Sequence, residues 1–196
     1  MAKATSARIP LPPQEFLNRV LRYEPGTGKL FWKARSPDLF EDGGHSAAHS
    51  CAKWNARFAE KEAFTATKSD GYKHGTVRGV HYPAQRIIWK MVTGIDPDHA
   101  DHINGVRSDN RLVNLRNVSA SENSRNSARH RDNRSGAVGV RWVARTAKWQ
   151  AFVQLSSGFI HLGIFSDFDD AVAARKAAEA NYNFHPNHGR SPNIRR

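Results

Sequence analysis

Cysteine and long apolar runs are both scarce in this sequence. Among 196 residues there is a single cysteine, Cys51, which excludes an internal disulfide and every zinc site built on pairs of cysteines. No stretch reaches the roughly 18 apolar residues of a membrane span, and the first residues lack the apolar core of a secretory signal. We therefore expect a protein of a reducing compartment, the cytoplasm, that is neither exported nor embedded in a membrane.

Positive charge, in contrast, is in excess. Lys and Arg total 30 against 18 Asp and Glu, which gives a formal net charge of +12. The excess is spread along the chain, with +5 over residues 1–98, +3 over 99–135 and +4 over 136–196. Since 39% of the residues are hydrophobic and 10% are aromatic, folded domains rather than a disordered tail carry this charge. A polyanion, and first of all nucleic acid, is the expected partner.

Local patterns in the first half predict short helices and strands. Apolar residues at helical spacing after Pro13 predict a first helix, and residues 29–33 predict a strand. Residues 34–58 show little periodicity and are expected to be rich in loops. Residues 71–82 are typical of a hairpin, and the apolar stripe that follows predicts a helix ended by Gly94.

The middle of the chain predicts strand, turn, strand and helix in that order. Asp101-His102-Ile103 runs into an Asn-Gly turn, and residues 112–118 form a second extended segment. Ser119 and Glu122 have the spacing of a capping box, which predicts a helix starting at about Ala120. Residues 124–135 are hydrophilic and are expected to be the frayed end of that helix or a linker.

Three short strands and a helix are predicted beyond Gly136. The strands are expected at residues 138–144, 149–155 and 159–165, and the helix at about 169–182 with Asp167 as its cap. The last residues, 185–196, are expected to form a basic tail.

Four polar residues stand out by type and spacing. Asp101 and His102 lie on the first strand of the middle segment, Asn114 on the returning strand, and Asn123 in the first turn of the capped helix. Hydrolysis of a phosphodiester needs a base of near-neutral pKa and a cation, which His102 and an Asp101/Asn123 oxygen pair could provide. Those hard oxygen ligands favour Mg²⁺, with Mn²⁺ as a substitute. The alternative is an ordinary polar surface around an Asn-Gly turn.

The same segment resembles the HNH endonuclease motif, most of all that of phage-borne, homing-type nucleases. The resemblance is carried by Asp101-His102-Ile103-Asn104-Gly105, Asp109-Asn110-Arg111, Asn114-Leu115-Arg116 and Glu122-Asn123. Upstream, Tyr23-x4-Gly28-x-Leu30-Phe31-Trp32 and Arg86-x2-Trp89 are similar to that subgroup as well.

The resemblance implies a ββα-metal finger with defined roles for the four residues. His102 would be the general base, Asp101 and Asn123 would bind one divalent ion, and Asn114 would orient His102 or pin the loop. Two positions depart from the family pattern: Asn123 stands where many members have His, and Gln85 stands where His often precedes the Arg of the upstream helix. The second departure puts a catalytic role for position 85 in doubt.

The C-terminal segment resembles a second family, the plant ethylene-response-factor (Apetala-two) DNA-binding domain, which is also appended to phage HNH nucleases. The similarity is carried by Gly139-Val140-Arg141-Trp142, Lys148-Trp149, Leu162-Gly163-x-Phe165 and Asp170-Ala171. By this resemblance a three-stranded sheet lies in the major groove. Arg141 would contact a base or phosphate, Arg145 and Lys148 would contact phosphates, and Trp149 would touch sugar-phosphate or, equally, fill the core of the sheet. Further DNA contacts are expected from the arginines of the middle segment: Arg125, Arg129, Arg131 and Arg134.

The sequence thus predicts an α+β protein with four regions. These are an HNH nuclease domain (1–127, with its ββα-metal core at about 98–127), a basic linker (128–135), a DNA-binding domain with a three-stranded antiparallel sheet and a helix (136–184), and a basic tail (185–196). The expected function is a metal-dependent DNA endonuclease acting on double-stranded DNA, as a nick or a double-strand break. The alternatives are a non-catalytic DNA-binding regulator and, third, an RNA-binding protein. The sequence indicates no protein partner and is compatible with a monomer or a dimer.

Overall fold

The computed structural model describes residues 9–155 and 157–191. Within them the chain mixes helices with short strands in small antiparallel sheets, which confirms the predicted mixture of α and β structure. The chain divides into two compact units between Asn117 and Val118. The two strands of the predicted ββα finger lie in the first unit and its helix lies in the second, so the finger as a whole stays a prediction. No helix in the described part of the chain is long and apolar enough to cross a bilayer.

The first unit contains three helices and three antiparallel sheets among its described residues. The sheets have the strand orders β1-β2-β3, β4-β5-β6 and β7-β8. The elements in chain order are α1 (Gln14–Val20), β1 (Leu21–Glu24), β2 (Lys29–Trp32), α2 (Ala47–Phe58), β3 (Glu62–Ala63), β4 (Ala66–Thr67), β5 (Lys73–Val77), β6 (Val80–Pro83), α3 (Ala84–Thr93), β7 (Ala100–His102) and β8 (Leu115–Asn117).

Helix α3 forms the centre of this unit, as its apolar stripe predicts. Ile87 and Ile88 are fully buried in a core that also takes in Leu17 and Val20 of α1. The helix ends at Gly94, whose φ of 76° lets its N–H reach the carbonyl of Lys90. Because α3 packs into this core, the core fixes the point at which the chain leaves α3 and continues toward β7.

Helix α2 contradicts the expectation that residues 34–58 are loop. It begins after Ser46, whose hydroxyl accepts a hydrogen bond from the N–H of His49. Cys51 is the one residue of the helix that is fully buried. The helix presents so narrow an apolar face that hydrophobic periodicity gives little signal.

The second extended segment of the middle region is shorter than expected. Residues Leu112–Asn114 form a turn of 3-10 helix, and strand β8 starts only at Leu115. Strands β7 and β8 pair antiparallel, with Asp101 opposite Arg116 and His102 opposite Leu115. The result is a short hairpin with a long loop, residues 103–114, between its strands.

The second unit holds a three-stranded sheet and a long helix. The capping box of Ser119 and Glu122 is present, which confirms the predicted start of its first helix, and Asp167 caps the long helix as expected. The sheet has the order β11-β10-β9. The elements are α4 (Ala120–Arg125), β9 (Val140–Val143), β10 (Lys148–Leu155), β11 (Gly158–Phe165) and α5 (Phe168–Asn181).

The residues expected to form a linker and a tail bond to each other within this unit. The backbone N–H of Arg129 donates to the carbonyl of Arg190 at 2.9 Å, and that of Gly189 donates to Ser127 at 2.9 Å. His188 is buried beside them. The part of the predicted tail up to residue 191 is therefore ordered against residues 125–129, while the rest of it, 192–196, lies outside the described residues.

Candidate active site

The β7–β8 hairpin brings Asp101, His102, Asn114 and the intervening loop together. His102 is 2% exposed, and its Nε2 lies 2.9 Å from Oδ1 of Asn110. An amide oxygen only accepts, so Nε2 carries the proton and Nδ1 carries the lone pair. The ring of Tyr72 lies against the imidazole, with 5.7 Å between ring centroids.

Burial controls the charge of His102. Removal from water lowers its pKa below the usual value for histidine, against the opposing effects of the Asn110 hydrogen bond and of the carboxylates of Asp101 and Asp109. The neutral imidazole is therefore favoured at neutral pH. A neutral imidazole whose orientation is held by a hydrogen bond has the protonation state that a general base requires.

The first hairpin of the unit holds the loop that carries Asn110. The hydroxyl of Tyr23 donates to the carbonyl of Asn110 at 3.0 Å and accepts from the N–H of Leu112 at 2.8 Å. Gly28, at the turn between β1 and β2, has a φ of 74°, and a Cβ there would lie 2.5 Å from the backbone nitrogen of Arg111. Only glycine fits this close approach of two backbones.

Asn114 is buried and ties the same loop at two points. Its Oδ1 accepts from the N–H of Asn104 at 2.9 Å, and its Nδ2 donates to the carbonyl of Asp109 at 2.8 Å. Asn114 was expected either to orient His102 or to pin the loop. These hydrogen bonds correspond to pinning the loop. The amide that lies against the imidazole is that of Asn110.

Asp109 stabilises the loop through its charge. It receives two hydrogen bonds of 2.7 Å from the guanidinium of Arg111 and one of 2.9 Å from Asn104. The Arg111 bonds are the main reason that the pKa of Asp109 falls to about 2. Hydrogen bonds therefore hold the loop on both sides of Asn110.

Asp101 directly precedes His102 in the sequence and is paired with an arginine. Its Oδ2 accepts from Nε and Nη2 of Arg116 at 3.1 and 2.9 Å, and its side chain is 13% exposed. Asn123, the second predicted ligand, lies on α4 in the second unit and is half-buried. Among the described residues no group of three or more His, Cys, Asp or Glu side chains could hold a metal by itself.

Carboxylate and amide oxygens are the donor types that Mg²⁺ prefers, so the magnesium site stays a prediction from the chemistry of the two residues. Mg²⁺ is usually bound through one or two protein oxygens and keeps several waters, so a carboxylate and an amide oxygen meet its requirement without a cage of side chains. Arg116 already balances the charge of Asp101, and a cation at that carboxylate would compete with the guanidinium.

The arginines expected to contact DNA from the middle segment fall into two groups. Arg125 donates to Ser121 Oγ at 3.1 Å and to the carbonyl of Tyr182 at 3.3 Å, and Arg129 donates to the carbonyl of Gly136. These two bond within their own unit. Arg131 and Arg134 are exposed.

The C-terminal sheet presents most of its predicted DNA contacts to solvent. Arg141, Arg145 and Lys148 are exposed, and Arg141 donates through Nε to Gln150 at 2.8 Å. Trp149 instead packs against the core of the unit, with its ring centroid 4.8 Å from that of Phe168 and 5.2 Å from that of Trp142. These contacts are the ones expected if Trp149 fills the core of the sheet rather than touching sugar-phosphate.

Sequence reasoning missed the supports of the base. The motif containing Asn110 does not mark it as a partner of His102, yet its side chain contacts the imidazole. His102 lies on β7 and Asn110 in the loop eight residues later, so no regular helix or strand pattern covers the pair. Tyr23 acts on the loop from 87 residues away, and Arg116 is recognisable only once the register of the hairpin is known.

Comparison with known proteins locates one family in this segment. Residues 82–125 match the family model of the HNH endonuclease, and they include Asp101, His102, Asn114 and Asn123. The comparisons with curated proteins and with solved structures gave no match. The match supports an HNH nuclease in this segment and suggests nuclease activity in general.

Proposed function

We propose that this chain is a metal-dependent DNA endonuclease that hydrolyses phosphodiester bonds, with His102 as the base that activates water. The observation that carries the proposal is the buried imidazole of His102, held by Asn110 at Nε2, inside the segment that matches the HNH endonuclease. A base of this kind accelerates a reaction by about 10²–10⁴-fold.

In the proposed reaction, water attacks phosphorus and the bond to the 3′ oxygen breaks. The imidazole of His102 takes the proton of the water, and the departing oxygen is protonated from solvent, which leaves 5′-phosphate and 3′-hydroxyl ends. Asp101 and Asn123 would hold one divalent ion, Mg²⁺ or Mn²⁺. When bound, that ion supplies positive charge against the developing charge on the phosphate. Asn110 keeps the imidazole oriented, and Asn114 keeps the loop folded around it.

We further propose that the second unit selects the DNA site. Its exposed cations Arg141, Arg145 and Lys148 lie on the sheet β9–β11 or at its turn, and the width of the major groove admits a sheet of this kind. The resemblance to ethylene-response-factor domains supports this role, and the resemblance to homing-type nucleases supports a phage-borne origin. Arg131 and Arg134 would add phosphate contacts that carry no sequence information.

Cleavage of DNA by single-residue variants tests the proposal. Purified protein is expected to nick or cut plasmid and genomic DNA with Mg²⁺ or Mn²⁺ and to be inactive in EDTA. His102→Ala should lower the rate at least about 100-fold. His81→Ala is the matched control, because His81 lies on β6 and contacts Thr76. Metal-dependent cutting by His102→Ala at the wild-type rate would remove His102 as the base.

A non-catalytic DNA-binding regulator is the second candidate. One observation favours it: His102 is 2% exposed and Asp101 is paired with Arg116, so both groups are engaged with protein. A regulator would shift DNA in a gel and leave it intact with every divalent metal. Mapping the ends of any product on genomic DNA separates the two functions and defines the site and strand at once.

A further inference from the structure

A cavity in the first unit, well separated along the chain from the β7–β8 hairpin, has the chemistry of a nucleotide site. It measures about 370 Å³ and lies between strand β2, helix α2 and the β5–β6 hairpin. Its walls are three aromatic rings, those of Trp32, Trp54 and Phe58, and two cations, Arg35 and Arg78. None of its described lining residues is Asp or Glu. Ligand sites in proteins have this size and this mixture of aromatic walls with a few polar groups.

Arg35 is held in place by side chains of α2. Its N–H donates to Oδ1 of Asn55 at 2.8 Å, and its carbonyl accepts from Nδ2 of Asn55 at 2.9 Å and from Sγ of Cys51 at 3.0 Å. Three hydrogen bonds thus fix the backbone of a residue that belongs to no strand or α-helix. The position of its side chain is defined before any ligand binds.

The guanidinium of Arg35 is half-buried and has no carboxylate partner among the described residues. It lies 3.7 Å from the ring centroid of Trp54 and 5.3 Å from that of Trp32. Its Nε is buried and has no hydrogen-bond partner among the described residues, and no described carboxylate lies within ion-pair distance of it. Burial lowers the pKa of Arg35. Since a buried cation is costly unless paired, this arrangement favours an anion in the cavity.

Arg78 brings the second positive charge. It stands at the turn of the β5–β6 hairpin with a φ of 50°, and its guanidinium lies 3.8 Å from the ring centroid of Phe16. The contact with Phe16 restricts the side chain of this exposed arginine. Arg78 and the adjacent Gly79 both line the cavity. Two arginines without a carboxylate between them match a phosphate better than a neutral ligand.

We infer that this cavity binds an unpaired nucleotide of DNA, with its phosphate at Arg35 and Arg78 and its base against the aromatic walls. Proteins recognise unstacked bases by stacking them on aromatic rings and guanidinium planes, and a base inside a duplex cannot reach such a cavity. The inference rests on the proposed nuclease function for its choice of nucleic acid. The nucleotide comes either from a single strand or from a duplex position that opens on binding.

Binding of a labelled oligothymidylate of about eight nucleotides to the full-length protein in EDTA tests the inference. Arg35→Gln is expected to weaken the affinity about tenfold, since one stacked and charge-paired nucleotide is lost. Arg78→Gln should weaken it about threefold, and this exposed hairpin residue can be changed without disturbing the core. The matched control is Arg22→Gln, which removes an arginine that lies 4.4 Å from the ring of Phe31 but lines no part of the cavity.

Competition with unlabelled duplexes distinguishes the two sources of the nucleotide. If a duplex with one bulged nucleotide displaces the probe better than a fully paired duplex of equal length, an opened duplex supplies the nucleotide. If only single strands compete, a single strand supplies it. The inference is overturned if Arg35→Gln and Arg78→Gln bind the probe as tightly as Arg22→Gln, or if the paired duplex displaces the probe as well as both the bulged duplex and an unlabelled single strand do.

Because no metal is present, this binding does not depend on cleavage. A failure of the nuclease proposal and a failure of the nucleotide site would therefore be seen in different experiments.

Discussion

His102 depends on a neighbour that contributes no chemistry of its own. The amide oxygen of Asn110 accepts from Nε2, and both groups are buried, at 2% and 3% exposure. Without that acceptor the imidazole would have neither a fixed tautomer nor a fixed orientation. This hydrogen bond therefore contributes to the position of the base.

Asn110→Ala is therefore expected to lower the rate of DNA cleavage about 100-fold, because small misplacements of a catalytic group have effects of that size. It should also reduce the free energy of unfolding by about 1–3 kcal/mol, since Nε2 of His102 is left buried without its acceptor. Cleavage kinetics and urea unfolding measure the two effects. Asn117→Ala, on the exposed end of β8, is the control. A folded Asn110→Ala protein with wild-type cleavage would show that Asn110 does not position the base.

Asp109 makes the loop sensitive to acid. Its pKa in the folded protein is about 2, against 3.8 as the ordinary value. A carboxylate with a lowered folded pKa stabilises the protein fully above its unfolded pKa, and this contribution is lost as the pH falls from 3.8 toward 2.

Asp109→Asn is accordingly expected to cost about 1 kcal/mol of unfolding free energy near neutral pH, a value reduced by the exposure of Arg111 to solvent. The difference from wild type should shrink as the pH falls below 3.8 and vanish only below about 2. Urea unfolding of both proteins across this range measures it. Asp98→Asn, on the exposed surface, controls for the loss of one carboxylate. A difference that does not change with pH would contradict the assigned cause.

At the scale of elements, the β1–β2 hairpin and the loop before β8 form one support. Tyr23 connects them through two hydrogen bonds to the backbone on either side of Arg111. The turn at Gly28 lies so close to Arg111 that no side chain fits there. The N-terminal hairpin therefore shapes the loop that holds the candidate base.

Tyr23→Phe is expected to lower both stability and cleavage. Loss of the hydroxyl leaves the carbonyl of Asn110 and the N–H of Leu112 without a partner, which costs about 1–3 kcal/mol, and loosens the loop around His102. Thermal unfolding and cleavage kinetics measure the two effects. Tyr82→Phe is matched to it, because that hydroxyl donates to the carbonyl of Pro10 at 3.1 Å, away from the loop. If both variants cleave DNA at the same rate, Tyr23 does not help to position the site.

Sequence patterns predicted some elements and missed others for physical reasons. Helices α3, α4 and α5 carry their own signals, an apolar stripe or a capping side chain within a few residues. Helix α2 has so few buried residues that its pattern is weak. Residues 112–114 have the composition of a strand, yet Leu112 is held by Tyr23 and the backbone turns there instead.

At the scale of the whole molecule, the net charge of +12 is divided among surfaces with different roles. The cations of the C-terminal sheet are exposed to solvent. The side chains of Arg125 and Arg129 instead donate hydrogen bonds to backbone carbonyls of their own unit. DNA affinity is thus expected to depend on particular cations of the second unit rather than on total charge.

Arg141→Gln is expected to weaken DNA binding and to reduce the slope of log affinity against log salt by about 1, as loss of one phosphate contact requires. Lys176→Gln removes the same charge from α5, where the ammonium pairs with Glu179 at 2.8 Å, and should leave the slope nearly unchanged. Titration of duplex DNA at several salt concentrations measures both. Equal slopes for the two variants would show that the face of Arg141 does not contact phosphates.

The sequence by itself determined the expected partner, the segment that carries the chemistry and the helices with local caps, because charge, motif spacing and capping all act within a few residues. Only the tertiary structure decided which amide holds His102, which tyrosine supports that amide and where Arg35 lies between two tryptophans. Those contacts join residues that are 8 and 87 positions apart, or side chains of β2, α2 and the segment between them. Such distances are closed by packing of the core, which no local pattern encodes.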